Sequence, residues 1–194
     1  MHRILTLAFL FPLEEGENES NALHTLYFAC SDFNKFVAKI CTHSTCHVEL
    51  VFENDMAFSI FKGSNLFFKS RTFSNQHYRL VSICVTPEEY AKAYDYCFRC
   101  AQMDISFNDV GLYLTLCPCC ATSQPSIESG YAFCSQIVTE ALLAAGVAEV
   151  EGLIPCKTTP SMLYEVMEQQ NTGRNVINSI GCKRDLLKYR AVMH

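Results

Sequence analysis

From Thr42 to Phe61 the chain alternates apolar and polar residues: Thr42-His-Ser-Thr-Cys-His-Val-Glu-Leu-Val-Phe-Glu53, then Asn54-Asp55, then Met56-Ala-Phe-Ser-Ile-Phe61. Alternation on both sides of a turn signal is compatible with little other than a β-hairpin. Burial decides its register. A two-residue turn at Asn54-Asp55 would put Phe58 and Ile60 on one face with His47 and Glu49. A three-residue loop pairs Phe52 with Met56 and Leu50 with Phe58, and gathers Val48, Leu50, Phe52, Met56, Phe58 and Ile60 on one apolar face. A one-residue slip moves every side chain of a strand to the other side, so the three-residue loop is expected. His47, Glu49, Val51, Ala57, Ser59 and Phe61 then share the opposite face, Ser59 across from Glu49, as a polar cluster on the exposed side of the sheet.

A second stretch, Gly130-Tyr-Ala-Phe-Cys-Ser-Gln-Ile-Val-Thr-Glu-Ala-Leu-Leu-Ala-Ala-Gly146, reads as a turn, a cysteine, and a helix closed by glycine. Cys134, Ile137, Val138, Ala141, Leu142 and Ala145 fall on one helical stripe, and Gly146 supplies a left-handed stop. Cys134 sits in the first turn. There the unpaired N–H groups and the positive end of the helix dipole favour an anion, so its thiol is a candidate nucleophile. A buried structural cysteine fits the same pattern equally well.

Elsewhere, the apolar run that starts at Met1-His-Arg-Ile-Leu-Thr-Leu-Ala-Phe-Leu resembles a signal peptide. It lacks a small-x-small site and leads into Glu14-Glu15, so a buried first strand is expected. A loop is expected over 14–21, a strand over 24–30 and a helix over 33–40. Lys62-Gly-Ser-Asn65 turns the chain into Leu66-Phe-Phe68, whose phenylalanines read as core, and Tyr78–Val85 reads as another strand. Thr86-Pro-Glu-Glu89 is a capping box with proline at the first helical position, starting a helix to about Gln102. Met103 to Gly130 reads as loop, and Thr159-Pro160 opens a further helix, with 169–194 a polar tail. A single domain over 1–194 with its core at about 22–168 is the expectation.

Hydrophobic residues make up 49% and charged residues 18% of the chain, a globular balance. The net charge of −5, with no basic run, argues against nucleic acid as a partner. No segment approaches the apolar length that spans a bilayer. Twelve cysteines, some adjacent as at Cys117, Cys119 and Cys120, suit a reducing compartment, so an intracellular chain with mostly reduced thiols is expected. Cys97-Phe-Arg-Cys100 has zinc-ligand spacing that the second cluster could complete, against the plainer reading of core cysteines within a helix.

A cysteine hydrolase needs a thiolate at a helix start, an imidazole to hold and return a proton, and a polar group to orient the imidazole. Cys134, His47, Ser59 and Glu49 supply those residue types. His2, His24, His43, His77 and His194 lie in terminal or weakly patterned places. On pattern alone His47 reads equally as an exposed strand histidine without a role.

Thr45-Cys-His47-Val-Glu-Leu, Phe58-Ser59-Ile, Arg71-Thr-Phe-Ser-Asn75 with Tyr78, Phe107-Asn-x-x-Gly111-x-Tyr113, Phe133-Cys134-Ser-Gln-Ile-Val and Thr159-Pro-Ser-x-Leu-Tyr164 together resemble the circularly permuted NlpC-type papain-like family, found in bacteria and large DNA viruses. The resemblance spans about residues 22 to 168. It implies an α+β papain-like fold, an antiparallel sheet with the cysteine helix packed against it. It also implies a thiol hydrolase: a cysteine protease, an amidase or a deubiquitinase-like isopeptidase, acting in the host cytoplasm if viral. Cys134 would be the nucleophile, His47 the base and Ser59 the third, polar member, with Glu49 sharing that task. Tyr131, Ser135, Asn108 and Tyr113 would line the oxyanion and substrate side. Peptide, isopeptide or acyl compounds would be substrates, with no metal or organic cofactor. The alternatives are an acyltransferase or thioesterase on lipid substrates, a binding module of the same fold that has lost turnover, and a zinc-stabilised interaction domain.

Overall fold

The computed structural model describes residues 2–11, 45–73, 77–114 and 125–177, the side chains of 113, 114 and 170–177 excepted. The loop expected over 14–21, the strand over 24–30, the helix over 33–40, Cys117, Cys119, Cys120 and the tail beyond 177 lie outside the described residues.

A five-stranded antiparallel sheet runs in the order β4-β3-β2-β1-β5, with β1 Arg3–Leu10, β2 His47–Val51, β3 Met56–Ser59, β4 Phe67–Ser70 and β5 Tyr78–Val85. The hairpin has the register that burial demands, Leu50 facing Phe58 and the Phe52 N–H bonded to the Met56 carbonyl at 2.9 Å. Its loop closes through Asp55, whose φ of 60° places it in the left-handed region that aspartate tolerates better than most residues. The apolar N-terminal run is β1, and it lies inside the sheet between β2 and β5. The core therefore begins at residue 3 rather than about 22, because both neighbouring strands need β1 to complete their hydrogen bonds.

The sheet face bearing Leu5, Leu7, Phe9, Val48, Leu50, Phe52, Phe58 and Ile60 is covered by two helices. The first, α1 (Pro87–Cys100), starts at the Thr86 capping box and buries Ala93, Tyr96, Cys97 and Cys100. This places Cys97 and Cys100 in the core. The cysteine helix, labelled α4 below, packs Ile137, Val138, Ala141, Leu142 and Ala145 into the same core.

Met103 to Gly130 is more than loop. It holds β6 (Ser106–Phe107), α2 (Asp109–Leu114) and the single turn α3 (Ser126–Ser129). β6 pairs in parallel with β7 (Tyr131–Ala132), which leads into α4 (Cys134–Ala145). Elements this short carry no readable period. Gly111 is required in α2, since a Cβ there would come within 2.4 Å of the Asn108 side chain. The last described helix, α5 (Pro160–Ile177), is capped by Thr159 Oγ1, which accepts the Met162 N–H at 3.2 Å.

The second sheet face is also buried, contrary to the expectation of solvent. Ala8, Leu10, Val51 and Ala57 form a cluster there with Tyr78, Leu112 and Phe133, and Phe73 and Phe107 pack against it. A period of two shows which residues share a face, but segments far along the chain decide whether that face is covered.

Phe58, fully buried and edge-on to Phe68 at 6.2 Å, joins the hairpin to the core. Phe58→Ala is expected to lower unfolding stability by about 3–5 kcal/mol in urea titrations.

Candidate active site

The helix start that carries Cys134 is fixed from several sides. Its N-cap, Phe133, is extended and supplies no side-chain cap, so the first N–H groups of α4 have no partner within the helix. Phe133 packs into the cluster on one sheet face while Cys134 belongs to the core on the other. One turn along, Glu140 accepts from the Ser126 N–H at 3.1 Å, Ser126 Oγ at 3.1 Å, Tyr96 Oη at 2.8 Å and Gln136 Nε2 at 3.1 Å. That carboxylate ties α1, α3 and α4 together just behind the cysteine. The Asn108 N–H donates to the Ala132 carbonyl at 2.7 Å and holds the strand that precedes it.

His47 opens β2 opposite Leu10. It is buried, stacks on Phe61 with ring centroids 4.4 Å apart, and lies within hydrogen-bonding reach of Cys134. Its Nε2 faces Glu49 Oε1 at 3.7 Å, which leaves Nδ1 for the thiol. Glu49, two residues on and therefore on the same face, has no solvent exposure. Its carboxylate pairs with Arg71 Nε at 2.9 Å and accepts from Tyr78 Oη at 3.2 Å. Burial opposes charge on the imidazole more than any other single influence. The Cys134 thiolate, and after it Glu49, outweigh that, and His47 is pushed up to about 9 from its ordinary 6.5. Burial and the same carboxylate raise Tyr78.

The other expected site residues fall differently. Ser59 Oγ donates to the Val48 carbonyl at 2.7 Å, and the group facing Nε2 is Glu49. The expectation that Ser59 orients the imidazole is thus corrected: hydroxyls close to a carbonyl of the neighbouring strand satisfy the backbone first. Ser135 is buried with its Oγ donating to the Thr158 carbonyl at 2.7 Å, which takes it away from the substrate side. Asn108 Oδ1 accepts the Gly111 N–H at 2.7 Å and starts α2, a structural task for that oxygen. Tyr131 is exposed three residues before Cys134, and Tyr113 lies in α2 with its side chain outside the described residues.

Arg71 and Tyr78 occur in the quoted motifs, but no role for them was expected. The signal that could have found them is the inward-facing Glu49 itself, since a carboxylate on a covered face needs a cation.

Among the cysteines, Cys46, Cys97, Cys100, Cys134 and Cys156 are free. Cys84 is disulfide-bonded. Among the described residues no helix is long and apolar enough to cross a membrane. Comparison of the chain with protein-family models, with curated proteins and with solved structures found no match.

Cys134→Ala removes the strongest support for the imidazolium while leaving His47 buried. The His47 ring signals, followed by NMR across pH, are expected to titrate near 9 in the wild type and well below that in Cys134→Ala.

Proposed function

We propose that the chain is a cysteine hydrolase of amides, isopeptides or esters, built on the permuted papain-like plan that its motifs resemble. The observation that carries this is the meeting of Cys134, at an uncapped helix start, with a buried His47 backed by Glu49. The reaction draws on a thiolate at Cys134 and a protonated His47.

Cys134 Sγ attacks the substrate carbonyl carbon, and the carbonyl oxygen becomes an oxyanion beside the free N–H groups at the start of α4. His47 then gives its proton to the leaving amine or alkoxide as the carbon–heteroatom bond breaks, and an acyl-thioester on Cys134 remains. A water molecule enters, His47 takes its proton, and the resulting hydroxide adds to the acyl carbon. Collapse releases the carboxylic acid and returns sulfur to its thiolate state and His47 to its protonated one. Glu49 keeps the ring turned so that Nδ1 addresses the sulfur throughout. Tyr131, exposed three residues ahead of Cys134, is the side chain we assign to the approach.

The test is a comparison of wild type with Cys134→Ala, His47→Ala, Glu49→Gln and Ser59→Ala over peptide, isopeptide, ester and thioester substrates. Cys134→Ala should abolish turnover, and His47→Ala should lower kcat/KM by roughly 10³- to 10⁴-fold. Glu49→Gln is expected to cost on the order of 10²-fold, and Ser59→Ala less than about tenfold. Wild-type kcat/KM should fall on the alkaline side through about pH 9, where His47 loses the proton that the leaving group requires. Turnover that persists in Cys134→Ala would rule the mechanism out.

A further inference from the structure

We propose that Arg71 is a positioning residue of this site: its guanidinium, caged by three phenylalanines, keeps Glu49 charged and set against His47. The assignment rests on the hydrolase reading above.

Arg71 leaves the end of β4, where its backbone N–H is bound to the Asp55 carbonyl at 3.0 Å, and turns in over the sheet face that bears His47. Its guanidinium carbon stands 5.2 Å from the Phe61 ring centroid, 5.7 Å from Phe67 and 5.6 Å from Phe73. Aromatic faces attract a cation, and a guanidinium, planar and weakly hydrated, loses less on leaving water than an ammonium does. The cage therefore stabilises the charge where solvent is scarce and holds Nε 2.9 Å from Glu49 Oε2 as an ion pair. Phe61 serves both ends of the relay. It stacks on the imidazole at 4.4 Å and also borders the guanidinium, so ring and cation share one wall.

Glu49 needs this partner. It has no solvent exposure, and a carboxylate buried without a cation is expensive enough that it takes up a proton instead. Among the described residues, the groups facing the relay are Cys134 from α4, Tyr78 from β5 and Arg71 from the end of β4, with Cys46 near enough to Tyr78 to interact with it. Lys69, the next cation along β4, lies over the Phe67 ring at 5.1 Å. Arg71 is thus the cation that neutralises Glu49.

A purely structural ion pair would add stability and leave the chemistry of His47 alone; a positioning pair would not. The experiment follows the His47 ring by NMR from pH 5 to 11 and the iodoacetamide alkylation rate of Cys134 at pH 6. It uses the full chain, as wild type, Arg71→Met, Arg71→Lys, Glu49→Gln, Glu49→Gln/Arg71→Met and His47→Gln. Arg71→Met should move the His47 midpoint down by roughly one pH unit and slow alkylation about tenfold, because the carboxylate behind Nε2 then lacks the cation that sets it against the ring. Arg71→Lys should recover part of both. In the Glu49→Gln background Arg71→Met should add no further shift. An Arg71→Met protein with wild-type circular dichroism and an unmoved or raised midpoint overturns the assignment of Arg71 and leaves the Cys–His reading standing. Should Arg71→Met not fold, a midpoint and alkylation rate in Glu49→Gln/Arg71→Met equal to those of Glu49→Gln support the assignment, and a further shift overturns it. A wild-type midpoint that vanishes in no variant, His47→Gln included, overturns both.

Discussion

A carboxylate without solvent, Glu49, sets the terms for the whole His47 face. Charge removed from water must be met by an opposite charge and by donors, or the group gives up its ionisation. Around Glu49 the described residues supply one cation, one hydroxyl and one imidazole, and each arrives on a different strand: Arg71 at the end of β4, Tyr78 at the start of β5, His47 on β2. None of these elements could shift by one register without stranding the carboxylate. The five-stranded sheet is therefore held by its polar cluster as well as by its apolar face, and β1 is the strand that brings β5 to the same centre.

The thiol side is held by a different kind of constraint. An uncapped helix start is an unsatisfied structure, and it stays in place only because its surroundings leave it no alternative. Glu140 gathers α1, α3 and the first turns of α4 into one hydrogen-bonded unit, while Ser135 is fixed to the Thr158 carbonyl behind the cysteine. The free N–H groups are consequently rigid. Rigid donors cost nothing to reorient when charge appears on a bound oxygen, which is why such a place suits a developing oxyanion.

Much of this geometry was legible in the chain and some was not, for physical reasons. The hairpin register followed from burial, and the helices at Pro87 and Pro160 from caps that act locally. The expectation that His47 faces solvent failed because the cover comes from Leu112 and Phe133, far along the chain, and periodicity contains no information about distant cover. Between Ser59 and Glu49, which the sequence left open as orienters of His47, side-chain direction decides: a hydroxyl two atoms from the backbone satisfies the nearest carbonyl, whereas glutamate is long enough to reach along the strand to the imidazole. β6, α2 and α3 are too short to show a period, yet they place the residue before the cysteine helix.

The balance of charges at His47 shows why a third element beyond thiol and carboxylate is needed. Burial alone would strip the proton from the imidazole, and two neighbouring anions reverse that sign. A second anion set beside the first, buried and unpaired, would be expensive to keep. A guanidinium paired with the rear carboxylate offsets that cost, so the front pair keeps its attraction while the rear one supplies orientation. Division of that kind, charge in front and alignment behind, is met by the two oxygens of Glu49, Oε1 toward His47 and Oε2 toward Arg71. The aromatic cage of Phe61, Phe67 and Phe73 borders the guanidinium where it makes that pair.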